Sequence, residues 1–396
     1  MAELLKNVTI ADFSQMGQGG IATQKLGDMG ADVIKIEPPR GDLLRSAPAN
    51  GQLLDGESTH YLAVNRNKRS ITLNLKTDRG QEIAREIIRE ADLLFENFRP
   101  GVMGKFDLGY EDVQEINPGI IYVSGSGFGD TGPYADRPGQ DILIQAMSGL
   151  ASSTGRKDDP PTPAGAFICD YYSAVMLALH AMVALHYQER TGEGQKVEGS
   201  LFSSGIDFQG IELTSALNLD IDFERSEAGI GHPLSDPPYG VFETSDGHIA
   251  ISFGQLDALA EELGLEPVCD YADQRETFEH RDKIKRQIEA ATRNEPTEPL
   301  LDRLADAGLW VSEVNDYEDL PDDPQVEHND MIVEMDHPEV GSFETTGIPM
   351  EMSAADERYE DPPTLGQHTD EILREFGFSD DDIAAFRDDD VIGTGD

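Results

Sequence analysis

The sequence predicts an α/β protein with a large domain and a smaller one of roughly 100 residues. Three observations carry this expectation. Strand-like and helix-like runs alternate from residue 7 onward, as βαβ units require. The chain has 396 residues, enough to bury a large core and form two or more domains. Near Asp222 the pattern changes, and shorter alternating and amphipathic runs take over.

In chain order, residues 7–13 read as a strand and residues 14–20, SQMGQGG, as a glycine-rich first turn. A helix at 21–29 and a strand at 31–37 complete the βαβ unit. Such a turn lets backbone N–H groups approach a phosphate or a reacting oxygen. Gly17-Gln18-Gly19-Gly20 is not a GxGxxG fingerprint and no GxxxxGK[ST] run occurs, so classical dinucleotide or P-loop binding is not supported. Residues 38–45 put Arg40 and Arg45 in a rigid loop. Arg66, Lys68, Arg69 and Lys76 surround the strand 70–75, a helix follows at 79–90, and 92–101 runs from a strand into a loop with Asn97, Phe98 and Arg99. Open α/β sheets bind ligands at their strand ends, and cations placed there fit a polyphosphate. Residues 120–124 form another strand, ending in the glycine loop 125–129, and Gln140-Asp141 precede a helix at 142–150.

Residues 164–195, AGAFICDYYSAVMLALHAMVALHYQERTGEGQ, organise the large domain. Asp170 stands as the N-cap, the apolar run 171–185 follows, and 191–194 allow a left-handed exit. The helix partial charge favours an ionised carboxylate by roughly 0.3–1 kcal/mol. Asp170 is therefore expected to be ionised near neutral pH and is a candidate nucleophile; an aspartate so placed is otherwise simply a cap. Cys169 is the rival by adjacency, its side chain expected to point away. After this helix come a strand at 197–201 and a further helix. The small domain holds a strand at 248–253 and helices at 256–263, 281–292 and 299–307. Beyond Pro321 the chain reads as extended, then ends in a helix at 369–376 and an acidic tail.

The formal net charge is −47, which argues against nucleic-acid binding, because phosphate backbones need clustered Lys and Arg. The charge is uneven. Residues 1–105 hold 14 of the 30 Lys and Arg and 14 of the 77 Asp and Glu, so the rest of the chain carries the whole excess. So acidic a surface repels itself less as salt shortens the Debye length, and Arg outnumbers Lys by 20 to 10, which together suggest a salt-adapted cytoplasmic protein. Cys169 and Cys269 are the two cysteines, without paired metal-ligand spacing, and fit a reducing compartment. The N-terminal residues lack an export-signal pattern. The apolar run 171–187 is short for a membrane crossing and carries His180 and His186, so it is expected to be a core helix.

Seven blocks then carry a resemblance: GADVIKIEPPRGDLLR (30–45), NRNKRSITLNLK (65–76), ADLLFENFRPG (91–101), SGFGDTGPY (126–134), the Asp170 helix through RTGEGQKVEGSLF (190–202), PPYGVFETSDGHIAIS (237–252) and PPTLGQHTDEIL (362–373). In this order, and nearly end to end, the chain resembles the class III CoA-transferases, the family of formyl-CoA transferase and the carnitine CoA-transferases. The resemblance implies a Rossmann-like large domain built from residues 1–221 and 326–396, a smaller α+β domain at 222–325, and a ring-like chain in an interlocked homodimer. It makes Asp170 the nucleophile and a coenzyme A thioester the substrate, with no permanently bound cofactor and no metal. Its CoA contacts fall on Leu73, Lys76, Asn97, Phe98, Arg99 and Lys105, with Arg40 or Arg45 near the phosphates and Phe98 beside the adenine. Gly17, Gln18 and Gln140 are the supporting or oxyanion candidates. Pro38 stands where formyl-CoA transferase has an arginine, and Gly17 where it has a glutamine, which leaves Gln15 or Gln18 as substitutes.

The implied partners are an acyl-CoA and a free carboxylic acid. Small dicarboxylates are expected, such as succinyl-CoA with mesaconate, malate or citramalate. Two other readings exist. An α-methylacyl-CoA racemase of the same family needs a His in a GHD motif, but the triplet here is Gly139-Gln140-Asp141, and glutamine cannot exchange a proton near neutral pH. A non-catalytic CoA-binding protein would keep the cations but would not need Asp170.

Overall fold

The computed structural model describes residues 4–221, 223–254, 256–265, 274–355 and 358–393; Cys269 lies outside them. In chain order the elements are β1 (Thr9–Asp12), α1 (Met16–Gly27), β2 (Asp32–Glu37), α2 (Thr59–Val64), β3 (Lys68–Thr72), α3 (Asp78–Glu90), β4 (Leu93–Glu96), α4 (Tyr110–Ile116), β5 (Ile121–Ser126), α5 (Asp141–Met147), α6 (Leu150–Ser153), α7 (Ile168–Thr191), β6 (Gln195–Ser200) and α8 (Leu201–Asp207). There follow α9 (Gly210–Asn218), β7 (Gly240–Glu243), β8 (His248–Ile251), α10 (Leu256–Glu262), α11 (Gln274–Glu279), α12 (Arg281–Thr292), α13 (Thr297–Asp306), β9 (Val311–Glu313), α14 (Pro324–His328), β10 (Ile332–His337), β11 (Gly341–Thr346), α15 (Thr369–Glu375) and α16 (Asp380–Asp388).

Strands β1 to β6 form one parallel sheet in the order β3-β2-β1-β4-β5-β6. This is the doubly wound order, and it reverses between β1 and β4, the switch point at which open α/β sheets bind their ligands. Alternate residues of each strand point to opposite faces. Ala11, Ile34, Ile71 and Leu94 pack with α3 and the C-terminal helices on one face, through Ile83, Ile87, Ile372 and Phe386. Ile10, Val33, Leu93 and Val123 pack with α1 and α7 on the other, through Ile21, Leu26, Ala174, Leu177 and Ala181. Small residues on the inner face of α7 let it approach α1 closely.

The chain divides into two compact units: residues 1–144, 167–208 and 324–396, and residues 145–166 with 209–323. The first unit joins N- and C-terminal parts in the Rossmann-like arrangement the resemblance implies. The C-terminal segment runs along the free edge of β3: the N–H of His368 donates to Ser70 O at 2.9 Å, and the N–H of Thr72 donates to Thr369 Oγ1 at 3.3 Å. The second unit holds the antiparallel sheet β7-β8-β9 and its own core of Phe242, Ile249, Ile284, Ile288, Leu300 and Leu304. It also takes in residues 145–166 and 209–221, which the sequence reading assigned to the large domain.

Three local expectations need correction. The glycine-rich stretch is not a loop: α1 begins at Met16 and includes Gly17, Gly19 and Gly20. Glycine serves close approach here, since a Cβ on Gly19 would lie 2.2 Å from the Ser14 Cβ. The segment after Pro321 contains an antiparallel hairpin, β10–β11. The acidic tail folds into α16, started by a Ser379–Asp382 capping box and held by buried Ile383 and Phe386.

Candidate active site

Buried charge surrounds the switch point at the ends of β1 and β4. Lys68 Nζ lies 3.3 Å from Asp12, Lys35 Nζ 2.9 Å from Asp42, and Arg45 2.8 Å from Glu37. Outside this cluster, Arg66 pairs with Asp28 at 2.8 Å and Arg69 with Asp32 at 2.7 Å. Five cations of the first quarter are thus matched by its own carboxylates, four of them buried and Arg69 at a partly exposed pair. The expectation that this group as a whole awaits a polyphosphate is corrected on that ground. Arg45 in particular donates to both carboxylate oxygens of Glu37, to the Tyr61 hydroxyl and to Pro363 O. Burial would raise Glu37, but the hydrogen bond and charge of Arg45 outweigh it and bring the carboxyl down to about 2.

These groups, with Asn97, hold the start of α1. Asn97 accepts the Gln15 N–H at 2.8 Å and donates to Gln15 O at 2.7 Å. Asp42 accepts the Met16 N–H at 3.1 Å, and Met16 sits in the left-handed region at φ 61°, a strained conformation for a side-chain-bearing residue. Gln18 turns inward and donates to Ser173 Oγ at 2.6 Å. Between these tethered residues Gly17 faces Asp170 so closely that a Cβ there would lie 3.1 Å from Asp170 Oδ2.

Asp170 lies in the first turn of α7 and is not its N-cap; that position belongs to Phe167, which makes no side-chain cap. The cap comes from elsewhere in the chain. Asp141 is buried, and its Oδ1 accepts the N–H of Cys169 at 2.8 Å and of Asp170 at 3.3 Å. A second negative charge thus occupies the positive end of the helix. Burial first, and the Asp141 charge second, push the Asp170 carboxyl up to about 7. The expectation that the helix end alone keeps Asp170 ionised near neutral pH is corrected accordingly, because burial and the Asp141 charge oppose the helix contribution. The Cys169 thiol is buried and pushed up to about 12 by burial and by these two carboxylates, so it is a poor nucleophile beside Asp170.

The remaining site residues fall into two groups. Leu73 has its side chain in the core, 1% exposed, so the expected CoA contact cannot be made by that side chain. Phe98 is half-buried against the same core. Arg40, Lys76, Arg99 and Lys105 are exposed, and Arg99 directly follows the Asn97–Phe98 pair at the switch point. Gln140 is exposed, and its carbonyl accepts the N–H of Leu143 and Ile144 at the start of α5. Sequence reasoning missed Asp141 and Ser173. A buried acid two helices away as the cap of α7 had no local signal beyond its place next to Gln140.

Comparison with known proteins bears on this arrangement. Residues 5–369 match the profile of CoA-transferase family III. The chain belongs to that family. It is similar to a protein named succinyl-CoA:mesaconate CoA-transferase in Haloarcula marismortui, 36% identical over 94% of this chain and 96% of the relative. It is also similar to succinyl-CoA:glutarate CoA-transferase of Mus musculus, 35% identical over 94% and 86% of the two chains. A crystal structure of a CAIB/BAIF family protein from Brucella suis superposes with a TM-score of 0.83 at 31% identity, covering 94% of this chain and 99% of that one. The family makes the chain an acyl-CoA:carboxylate CoA-transferase. Among the described residues no group of His, Cys, Asp and Glu could hold a metal. Among the described residues one helix, α7, is long and apolar enough to cross a membrane, and its inner face packs on α1 and the sheet.

Proposed function

We propose that this CoA-transferase exchanges CoA between small dicarboxylic acids through covalent intermediates on Asp170. The carboxylate attacks the thioester carbonyl of the donor acyl-CoA; the C–S bond breaks, giving a mixed anhydride and CoA thiolate. The thiolate attacks the aspartyl carbonyl, releasing the donor acid and leaving an aspartyl-CoA thioester. The acceptor carboxylate displaces the thiolate, and the thiolate then takes the acceptor's acyl group, restoring Asp170. Anhydride exchange between two carboxylates is close to balanced in energy, which suits an aspartate nucleophile. The observation that carries this reading is the Asp170 carboxyl placed against Gly17, at the first turn of α1. Backbone N–H groups of Gly17 and Gln18 are the oxyanion donors in this proposal, with the Gln140 amide in support.

Relatives named for succinyl-CoA with mesaconate and with glutarate support dicarboxylates as substrates. Exposed Arg40, Lys76, Arg99 and Lys105 hold the CoA phosphates in this reading, and Phe98 lies beside the adenine. We place the protein in the reducing cytoplasm, where the free, buried thiol of Cys169 is stable. A homodimer is supported by the outer face of α7, where Tyr171, Val175, Leu179, Val183 and Tyr187 recur every fourth residue and are each 45–61% exposed. Hydroxylamine added during turnover with succinyl-CoA tests the nucleophile. We expect an Asp170 hydroxamate in the wild type and in Cys169→Ala, and neither hydroxamate nor turnover in Asp170→Ala; turnover by Asp170→Ala would overturn the assignment.

A further inference from the structure

We infer that Gln18 and Ser173 are positioning residues that together set the distance between the first turn of α1 and the Asp170 carboxyl. Both are buried, Gln18 at 4% and Ser173 at 1% exposure, and their side chains meet at 2.6 Å. Both side chains are almost wholly buried, so the bond is placed to join the two helices. Its position in the helix lattice is informative. Asp170 and Ser173 are three residues apart on α7 and share one face, while Gly17 and Gln18 are consecutive on α1. Two adjacent contacts, Gly17 to Asp170 and Gln18 to Ser173, therefore lock the register of the two helices at the reacting group.

The rest of the turn explains why a pin is needed there. Asn97 holds Gln15 and Asp42 holds Met16, the latter in a left-handed conformation that must be constrained to persist. These two tethers fix the turn from the side of the sheet. Gln18 is the tether on the side of α7, and the amide packs beside Gly125, where a Cβ would lie 2.7 Å from Gln18 Oε1. Without it, the turn is anchored to the segments that follow β2 and β4 but not to the nucleophile, and Gly17 can drift from the carboxyl. A displacement of about 1 Å at a reacting group costs on the order of 100-fold in rate. A gap there also admits water to a carboxyl whose protonation is governed chiefly by burial.

This inference rests on Asp170 as the nucleophile. The experiment compares Gln18→Met, Ser173→Ala, the double variant and Ser173→Thr with the wild type, in steady-state exchange between succinyl-CoA and mesaconate over a range of pH. Each single loss of the bond is expected to lower kcat by about 10- to 100-fold, with KM for succinyl-CoA within about threefold. The double variant is expected to fall no more than about twofold below the worse single one, because the second change has no bond left to remove. Ser173→Thr, which keeps the hydroxyl, is expected to retain most of the turnover. The acid limb of the kcat profile is expected to move to lower pH in the Gln18→Met and Ser173→Ala enzymes as water reaches the carboxyl. Wild-type kcat in Ser173→Ala, losses that multiply in the double variant, or a change confined to KM would overturn the inference. If Gln18→Met does not fold, Ser173→Ala decides alone. Turnover by Asp170→Ala in the same assay would instead remove the nucleophile assignment and leave the Gln18–Ser173 bond as purely structural.

Discussion

Replacing Asp141 by asparagine separates the two causes that hold the Asp170 carboxyl near neutrality. The amide keeps an acceptor for the N–H groups of Cys169 and Asp170, now bonded at 2.8 and 3.3 Å, and removes the charge. For scale, two unit charges at an illustrative separation of about 6 Å repel by about 3 kcal/mol at an effective dielectric of about 20, an order-of-magnitude ceiling of roughly 2 pK units for a neighbouring carboxylate. The whole displacement runs from 3.8 to about 7, and burial is its larger cause. The Asp141 charge is therefore the smaller of the two causes. Raising the pKa of an acid disfavours the charged form, so removing the repulsion must lower it. In the proposed mechanism the reacting species is the carboxylate, so kcat/KM for succinyl-CoA is expected to rise with pH through about 7 in the wild type and at lower pH in Asp141→Asn. The assay is the initial rate of CoA exchange between pH 5 and about 8.5, at constant salt, with the fold checked by circular dichroism. An acid limb that stays in place, or that moves to higher pH, would refute the electrostatic argument.

Arg45→Gln should act on stability, because its guanidinium is matched inside the protein. Glu37 titrates at about 2 in the fold against 4.5 ordinarily; that depression contributes about 3 kcal/mol above pH 5, lost as pH falls toward 2. Removing the partner leaves a buried carboxylate, and urea unfolding at pH 7 should show a loss of about 3–5 kcal/mol; a loss below about 1 kcal/mol would contradict this pairing. The surface makes a separate prediction. With a net charge of −47, the thermal midpoint and the activity should both rise between ~0.1 M and ~2 M KCl as the Debye length falls from ~10 Å toward ~2 Å. Indifference to salt would show that self-repulsion is not a governing term.

Legibility differed between the two sides of the candidate site. The Asp170 helix was readable because its apolar body and its left-handed exit at Gly192, φ 75°, are local features. Gly17 was readable as a residue that lets backbone come close, although its partner was not. The cations of the first quarter were legible as unusual, yet their destination was not: Arg66 meets Asp28 38 residues away, and Lys68 meets Asp12 across the sheet. Sequence spacing holds no record of such pairs, and so cations that serve the fold resemble cations that await a ligand.

By itself, the sequence determined what is set by neighbours along the chain: the βαβ alternation, the helix carrying Asp170, the acid excess and the blocks shared with a family. The tertiary structure alone decided the strand order β3-β2-β1-β4-β5-β6 and hence where the switch point lies. It also decided that Asp141 caps α7 and that Gln18 meets Ser173, 155 residues apart. The reason is physical. Propensity and periodicity act over a few residues, whereas burial, pairing of charges and the protonation of a carboxyl depend on which distant segments the packed sheet brings within a few ångströms.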